Sequence, residues 1–263
     1  MGARILEALR DVEKKHGVKI IYACESGSRA WGFVSDDSDY DVRFLYVQPL
    51  ERYLSIGDKE DVIEMPSDGK LDINGWDIRK SLSLLQKSNS VLLEWLSSPI
   101  KYHKNDLAVA PLVELSQKAF MPKSSCQHYM GMAKKAIAGY PANEKVKIKS
   151  YLYTIRPVLC CRWIVKYKKQ APMLIDDLIA EFLPDRDSEM RQYIDQIIEA
   201  KKRGDEGSRV ERSHLLECYL HSQIEELETL IPENGPRLPI EEFDDVFRKI
   251  LRLGIDSAVM AGS

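Results

Sequence analysis

The sequence predicts a mixed α+β/α architecture: a small mixed-sheet domain followed by an all-helical domain. Three observations carry this. Short apolar runs with strand character fall within the first 105 residues; after that point only helical periods recur; and proline and glycine breaks separate those later periods. The strand-bearing part is assigned to residues 1–110 and the helical part to 111–263, with the passage between them around 105–122.

In chain order, residues 3–15 read as a helix with Ile5, Leu6 and Leu9 on one side, ended by Gly17. Val18 to Cys24 reads as a buried strand, and Tyr40 to Val47 as a second. Residues 51–69 form a variable connection with a short strand around Val62-Ile63. Leu71 to Trp76 is the third core strand. Asp77 stands at the N-cap of a helix whose stripe is Ile78, Leu82 and Leu85. A helix over 90–97 and an edge strand at Ile100–Tyr102 complete this part. Helical periods follow near 106–118, 123–138, 144–168, 173–183, 187–203, 209–230 and 240–253.

Composition narrows the class. With 44% hydrophobic and 30% charged residues the 263-residue chain has an ordinary globular balance. No apolar run nears the ~20 residues of a membrane span, and the amphipathic N-terminus lacks a signal-peptide core, so a cytoplasmic protein is expected. The five cysteines, Cys24, Cys126, Cys160, Cys161 and Cys218, form no C-x-x-C pair, which fits a reducing compartment. Between Lys134 and Lys169 stand ten basic residues and one acidic residue, Glu144. That segment carries +9 and, at a net charge of −3, the rest of the chain −12. Such a segment suits either a polyanion or a solvated helix face.

The chemistry concentrates between Glu25 and Val42. Asp39 and Asp41 are two apart on the expected strand, so their carboxylates face the same way. Two adjacent anions repel unless a cation joins them, and magnesium is the natural hard partner. Gly27-Ser28 precedes the pair by ten intervening residues and follows a strand. A glycine there lets backbone N–H groups approach phosphate oxygens, and the serine hydroxyl adds a donor. Asp72 on the neighbouring strand is the chosen third carboxylate, ahead of Asp77, which is better placed to cap a helix. An EF-hand starting at Asp37 would need glycine where Val42 stands and glutamate where Gln48 stands, and no Gly-Lys-Ser/Thr phosphate loop occurs.

In the helical part, Lys145, Lys149, Tyr153 and Arg156 recur at i, i+4, i+8 and i+11, with Ile148, Leu152, Ile155 and Leu159 on the apolar side. Lys149 and Arg156 are expected to reach phosphate and Tyr153 to stack on a base or sugar, with a kink near Pro157. His214, Cys218 and His221 share a helix face but lack a fourth zinc ligand.

Gly27-Ser28 and Asp39-Tyr-Asp41-Val42 resemble the signature of the DNA polymerase β-like nucleotidyltransferase superfamily, which is hydrophobic-Gly-Gly/Ser and then Asp/Glu-hydrophobic-Asp/Glu-hydrophobic. Ser26 departs from it, standing where the pattern has a hydrophobic residue. A narrower resemblance spans most of the chain. Glu25-Ser-Gly-Ser-Arg-Ala-Trp-Gly-Phe33, Asp39-Tyr-Asp-Val-Arg43, Gly75-Trp-Asp-Ile-Arg-Lys80, Leu93-Glu-Trp-Leu-Ser-Ser-Pro99 and Lys149-Ser-Tyr-Leu-Tyr-Thr-Ile-Arg-Pro157 are similar to the RlaP (YcgL-like) family of RNA-repair-pathway nucleotidyltransferases.

The resemblance implies a polymerase β palm-like sheet domain. It also implies transfer of a nucleoside monophosphate from a nucleoside triphosphate such as ATP to a hydroxyl acceptor, with two Mg²⁺ or Mn²⁺ ions held by Asp39, Asp41 and Asp72. An RNA acceptor is implied by the family's association and not by composition. Two other readings stay open: a non-catalytic nucleotide- or RNA-binding, antitoxin-like module, and transfer to an aminoglycoside-like small molecule. The sequence leaves the oligomeric state open.

Overall fold

The computed structural model of the chain describes all residues except 36–37, 58–59, 68, 143–144, 205–207 and 260–263, and no side chain of 254–259. Asp37, weighed above as the start of an EF-hand, and the helix start expected at 144 lie outside the described residues.

The chain forms two compact units, each discontinuous in sequence. The first is Met1–Gly27, Asp39–Phe120 and Pro236–Ser263; the second is Ser28–Ser38 and Met121–Gly235. This differs in two places from the single cut expected at residue 110. The segment 28–38 groups with the helices, and the C-terminal helix groups with the sheet.

In the first unit, α1 (Gly2–His16) buries Ile5, Leu9 and Val12, spaced i, i+4, i+7 along one face. It is followed by β1 (Lys19–Glu25) and, across the segment that starts α2 (Gly27–Trp31), by β2 (Tyr40–Val47). The connection then carries α3 (Leu50–Tyr53) and β3 (Val62–Glu64) to β4 (Leu71–Asp77). Helices α4 (Ile78–Gln86) and α5 (Ser90–Ser97), strand β5 (Lys101–Lys104) and helix α6 (Asp106–Lys118) complete the continuous part.

The sheet has the order β3-β4-β2-β1-β5. Only β2 and β4 run parallel; β1 is antiparallel to both β2 and β5, and β3 is antiparallel to β4. One face, with Ile20, Ala23, Val42, Phe44, Tyr46, Leu71 and Ile73, packs against α1. The opposite face, with Tyr22, Cys24, Leu45 and Val47, packs against Ile78, Leu82 and Leu85 of α4, Leu92 and Leu96 of α5, and Leu112 and Leu115 of α6. Phe243 and Ile250 of α12 (Ile240–Val259) join that second layer. This apolar stripe places the C-terminal helix in the sheet-bearing unit, and nothing in its local period distinguishes it from the bundle helices.

The second unit is helical: α7 (Pro122–Ala138), α8 (Ile148–Tyr167), α9 (Ile175–Phe182), α10 (Glu189–Lys202) and α11 (His214–Leu230). A two-residue ladder, β6 (Val146–Lys147) with β7 (Arg209–Val210), precedes α8 and α11, where the sequence reading had only helix. Helix α8 is packed on by α7, α9, α10 and α11. It therefore buries residues around most of its circumference, Tyr151, Ile155, Val158, Cys160 and Ile164 among them, and carries the buried Pro157 inside it.

Among the described residues, no helix is long and apolar enough to cross a membrane.

Candidate functional site

The site is built where β1 ends. β1 runs buried from Ile20 to Glu25 and then turns sharply, because Gly27 adopts a φ of +61° that side-chain-bearing residues rarely take. The same glycine makes a close approach: a Cβ added to it would stand 2.3 Å from Oδ2 of Asp41. The missing side chain is thus the space that the Asp41 carboxylate uses.

Asp41 lies on β2 and is registered directly beside Asp72 of the parallel strand β4. Register fixes the pairing of faces, so the two carboxylates stand on adjacent strands on one side of the sheet. Arg43, two residues on and on the same face, closes the group. Its Nη2 donates to Asp72 Oδ2 at 2.7 Å and to Asp41 Oδ1 at 3.2 Å, and its Nη1 donates to the Asp72 carbonyl at 3.3 Å. The guanidinium is largely covered, while Asp72 keeps 44% of its side-chain surface. β2 begins at Tyr40, so Asp39 stands just ahead of the strand rather than on it, and it is exposed.

Asp77 takes no part in this group. It is five residues from Asp72 on β4, an odd separation that sends it to the opposite face. There its carboxylate caps α4 by accepting from the Arg79 N–H at 2.7 Å and takes the Tyr53 hydroxyl at 2.8 Å. Burial pushes its pKa above the ordinary carboxylate value, against the Tyr53 and Arg79 hydrogen bonds that pull it down.

Glu25, the last residue of β1, supports Asp41 from below. It is fully buried, its Oε1 accepts the Asp41 N–H at 2.7 Å, and its Oε2 accepts the Tyr102 hydroxyl. The signal in the sequence was a carboxylate closing an otherwise apolar strand immediately before the Ser-Gly turn.

In the second unit, the three α8 residues predicted to bind nucleotide are linked through Trp31 of α2. The Arg156 guanidinium lies 4.4 Å over the Trp31 ring, Tyr153 meets that ring edge-on at 5.4 Å, and Lys149 Nζ stands 5.4 Å over Tyr153. Arg156 is only 2% exposed and donates to the Met173 carbonyl through Nε and Nη2. The expected exposed stripe is therefore split: Lys149 is exposed, Tyr153 half-buried and Arg156 buried, because α8 is enclosed by its neighbours. Lys145 pairs with Glu211 at 2.6 Å. Ser28 begins this unit, and its carbonyl accepts the Phe33 N–H at 3.2 Å. The segment ahead of Asp39 is held by Arg29, which donates to the Ser38 carbonyl at 2.7 Å, and by the buried Lys201, whose Nζ is 3.1 Å from Ser38 Oγ.

The donor chemistry at Asp41 and Asp72 fits a hard divalent cation. Two carboxylates stand side by side and already share a positive charge, that of Arg43. Among the described residues no group of three or more His, Cys, Asp or Glu side chains is gathered as a metal cluster. Asp39, Asp41 and Asp72 are thus not gathered as such a cluster.

The family comparison agrees with the motif resemblance. A protein from Bacillus subtilis (strain 168), the uncharacterized protein YcgL, is 44% identical over 231 residues, covering 86% of each chain. A nucleotidyltransferase-like protein from Exiguobacterium sibiricum 255-15, known from its crystal structure, aligns over 86% of this chain and 73% of its own at 12% identity and a TM-score of 0.30. The family model described as the RNA repair pathway DNA polymerase beta family matches residues 1–249. The segments that carry the resemblance all lie within that match, and the chain belongs to the RNA repair pathway DNA polymerase beta (RlaP) family.

Proposed function

We propose that this protein transfers a nucleoside monophosphate from a nucleoside triphosphate to a hydroxyl group, with Asp41 and Asp72 at the centre of the reaction. The observation that carries the reading is their direct register on β2 and β4, with Gly27 cleared of a side chain against Asp41. Asp41, Asp72 and Asp39 are the residues that would hold Mg²⁺ or Mn²⁺, two ions in the family pattern. Bound there, the metal would neutralise triphosphate charge and acidify the attacking hydroxyl.

The chain's own residues have separate tasks. Gly27 and Ser28 offer backbone N–H groups and a hydroxyl to the triphosphate. Asp72, the more open of the two carboxylates, accepts the proton of the acceptor hydroxyl at Oδ2 once Arg43 releases that oxygen. The hydroxyl oxygen forms its bond to the α-phosphorus as the bond to the β-phosphate bridge breaks, and pyrophosphate leaves. Lys149, exposed on α8, is proposed to meet phosphate, and Tyr153 to stack on a base or sugar. The share of Arg156 is indirect, through the Trp31 stack. An RNA acceptor is supported by the family's description.

A second reading is favoured by one specific observation. Arg43 already satisfies both carboxylates, as in a site that binds nucleotide or RNA without turnover. The test is incubation with each of the four α-labelled nucleoside triphosphates, Mg²⁺ or Mn²⁺, and pooled RNA. Label appearing in RNA supports transfer. Calorimetric binding of Mg-nucleotide, with label in neither RNA nor protein, supports the binding module.

A further inference from the structure

We propose that Glu25 is a positioning residue for Asp41, replacing with its side chain a main-chain acceptor that the strand cannot supply. The inference rests on reading Asp41 as a carboxylate of the site.

The ladder between β1 and β2 ends at the pair Glu25↔Val42. One step further, Ser26 and Asp41 would exchange two hydrogen bonds in a continuing antiparallel pair. One of them is made: the Ser26 N–H donates to the Asp41 carbonyl at 2.9 Å. The other is not, because the chain is already turning toward the positive φ of Gly27. The Asp41 N–H instead finds Oε1 of Glu25 at 2.7 Å. A short bond to a carboxylate is stronger than the neutral bond it replaces.

The carboxylate itself is held firmly. The Tyr102 hydroxyl on β5 binds its Oε2, the Glu25 N–H donates to the Ile100 carbonyl at 3.0 Å, and Ser98 Oγ donates to the Glu25 carbonyl at 2.7 Å. A glutamate with no exposed surface would be costly without such partners. The result is a continuous line from the edge strand to the site: Tyr102, Glu25, the Asp41 backbone, and then the Asp41 carboxylate against Gly27. Glu25 need touch neither nucleotide nor acceptor to act. It sets where the Asp41 side chain begins.

The experiment compares full-length wild type with Glu25→Ala, Glu25→Gln and Tyr102→Phe. The readouts are residue-resolved hydrogen exchange at the Asp41 amide and steady-state pyrophosphate release. In Glu25→Ala the Asp41 amide is expected to exchange about tenfold faster, the effect of losing one such bond. kcat is expected to fall about 10–100-fold, as for other residues that orient a site carboxylate, with KM for the nucleotide nearly unchanged. Glu25→Gln keeps an acceptor oxygen and is expected to restore both readouts, and Tyr102→Phe to fall between.

Unchanged exchange at Asp41 in folded Glu25→Ala would overturn the proposal, as would Glu25→Gln as defective as Glu25→Ala. If Glu25→Ala does not fold, Tyr102→Phe decides, and wild-type exchange at Asp41 in that variant counts against the proposal. If wild type releases no pyrophosphate, the functional reading fails, while the exchange measurement still tests the positioning.

Discussion

Gly27 and Asp41 occupy one space: the Cβ that any other residue would add at position 27 falls 2.3 Å from Oδ2 of Asp41. The glycine is therefore needed twice, once for its φ of +61° and once for the carboxylate it admits. Gly27→Ala is expected to cost roughly 1–3 kcal/mol of stability, from strain at a positive φ. It should lower pyrophosphate release by more than the fraction unfolded explains. A chemical-denaturation curve beside a rate measurement at the same temperature checks this. A fully active Gly27→Ala protein would count against the site.

Arg43 makes a different kind of prediction. It competes for the oxygens that a divalent ion would use, yet it also relieves the repulsion between Asp41 and Asp72. Without metal, Arg43→Gln should be less stable by about 1 kcal/mol, a modest figure because Asp72 is partly solvated. With saturating Mg²⁺ the melting temperature of Arg43→Gln should rise by more than that of wild type. Equal shifts in the two proteins would indicate that the metal does not use these oxygens.

Asp72 and Asp77 share a strand but have unlike tasks, and substitution should separate them. Asp77→Ala removes the α4 cap and the partner of Tyr53, and is expected to destabilise the fold by about 1–3 kcal/mol. Asp72→Asn should leave the melting temperature near wild type and reduce nucleotidyl transfer by at least about 100-fold. The opposite pattern would exchange their assignments.

The pH dependence of stability follows from the burial of Asp77. Its native pKa is raised above the ordinary 3.8, so the folded state holds the proton more tightly than the unfolded state. This contribution is fully present below the ordinary value and is lost as pH rises through the raised one. Asp77→Asn keeps the acceptor for Arg79 and has no such proton. Relative to that variant, wild type should lose stability as pH is raised from about 4 upward. Parallel denaturation curves over that range, with a constant difference between the two proteins, would contradict it.

The Trp31 stack predicts how the second unit responds to change. Trp31→Ala should destabilise the protein by about 3–5 kcal/mol, since a large buried ring is removed. Arg156→Met preserves much of the volume but loses the ring-stacked charge and the bonds to the Met173 carbonyl. Its main effect should be on stability, whereas Lys149→Ala should raise KM for the nucleotide and leave the melting temperature unchanged. A stable Arg156→Met protein with impaired nucleotide binding would return Arg156 to direct phosphate contact.

Much of the sheet was legible because alternation and apolar runs are local. The strand expected from Tyr40 to Val47 is β2 with the same ends, and the strand expected from Leu71 to Trp76 is β4 less its last residue. The Asp77 cap was also readable, since an N-cap is a matter of one residue and the helix after it. The discontinuous units were not readable in this way. Phe243 and Ile250 bear the same helical stripe whether they pack on a bundle or on α4 and α6, and only distant contacts decide. The burial of Arg156 was not legible for a related reason. Spacing shows which residues share a helix face, but not whether a neighbouring helix covers it. The bridging role of Arg43 and the support from Glu25 depend on register between strands, and a single sequence does not print that register.

The carboxylates brought together on β2 and β4 are proposed to perform nucleotidyl transfer. Its most direct test is pyrophosphate release from Mg²⁺-nucleoside triphosphate in the presence of RNA, measured for wild type and Asp41→Asn at matched folded concentration. Wild type is expected to release pyrophosphate, and the variant to lose at least about 100-fold of that rate. Release by Asp41→Asn at the wild-type rate would contradict it.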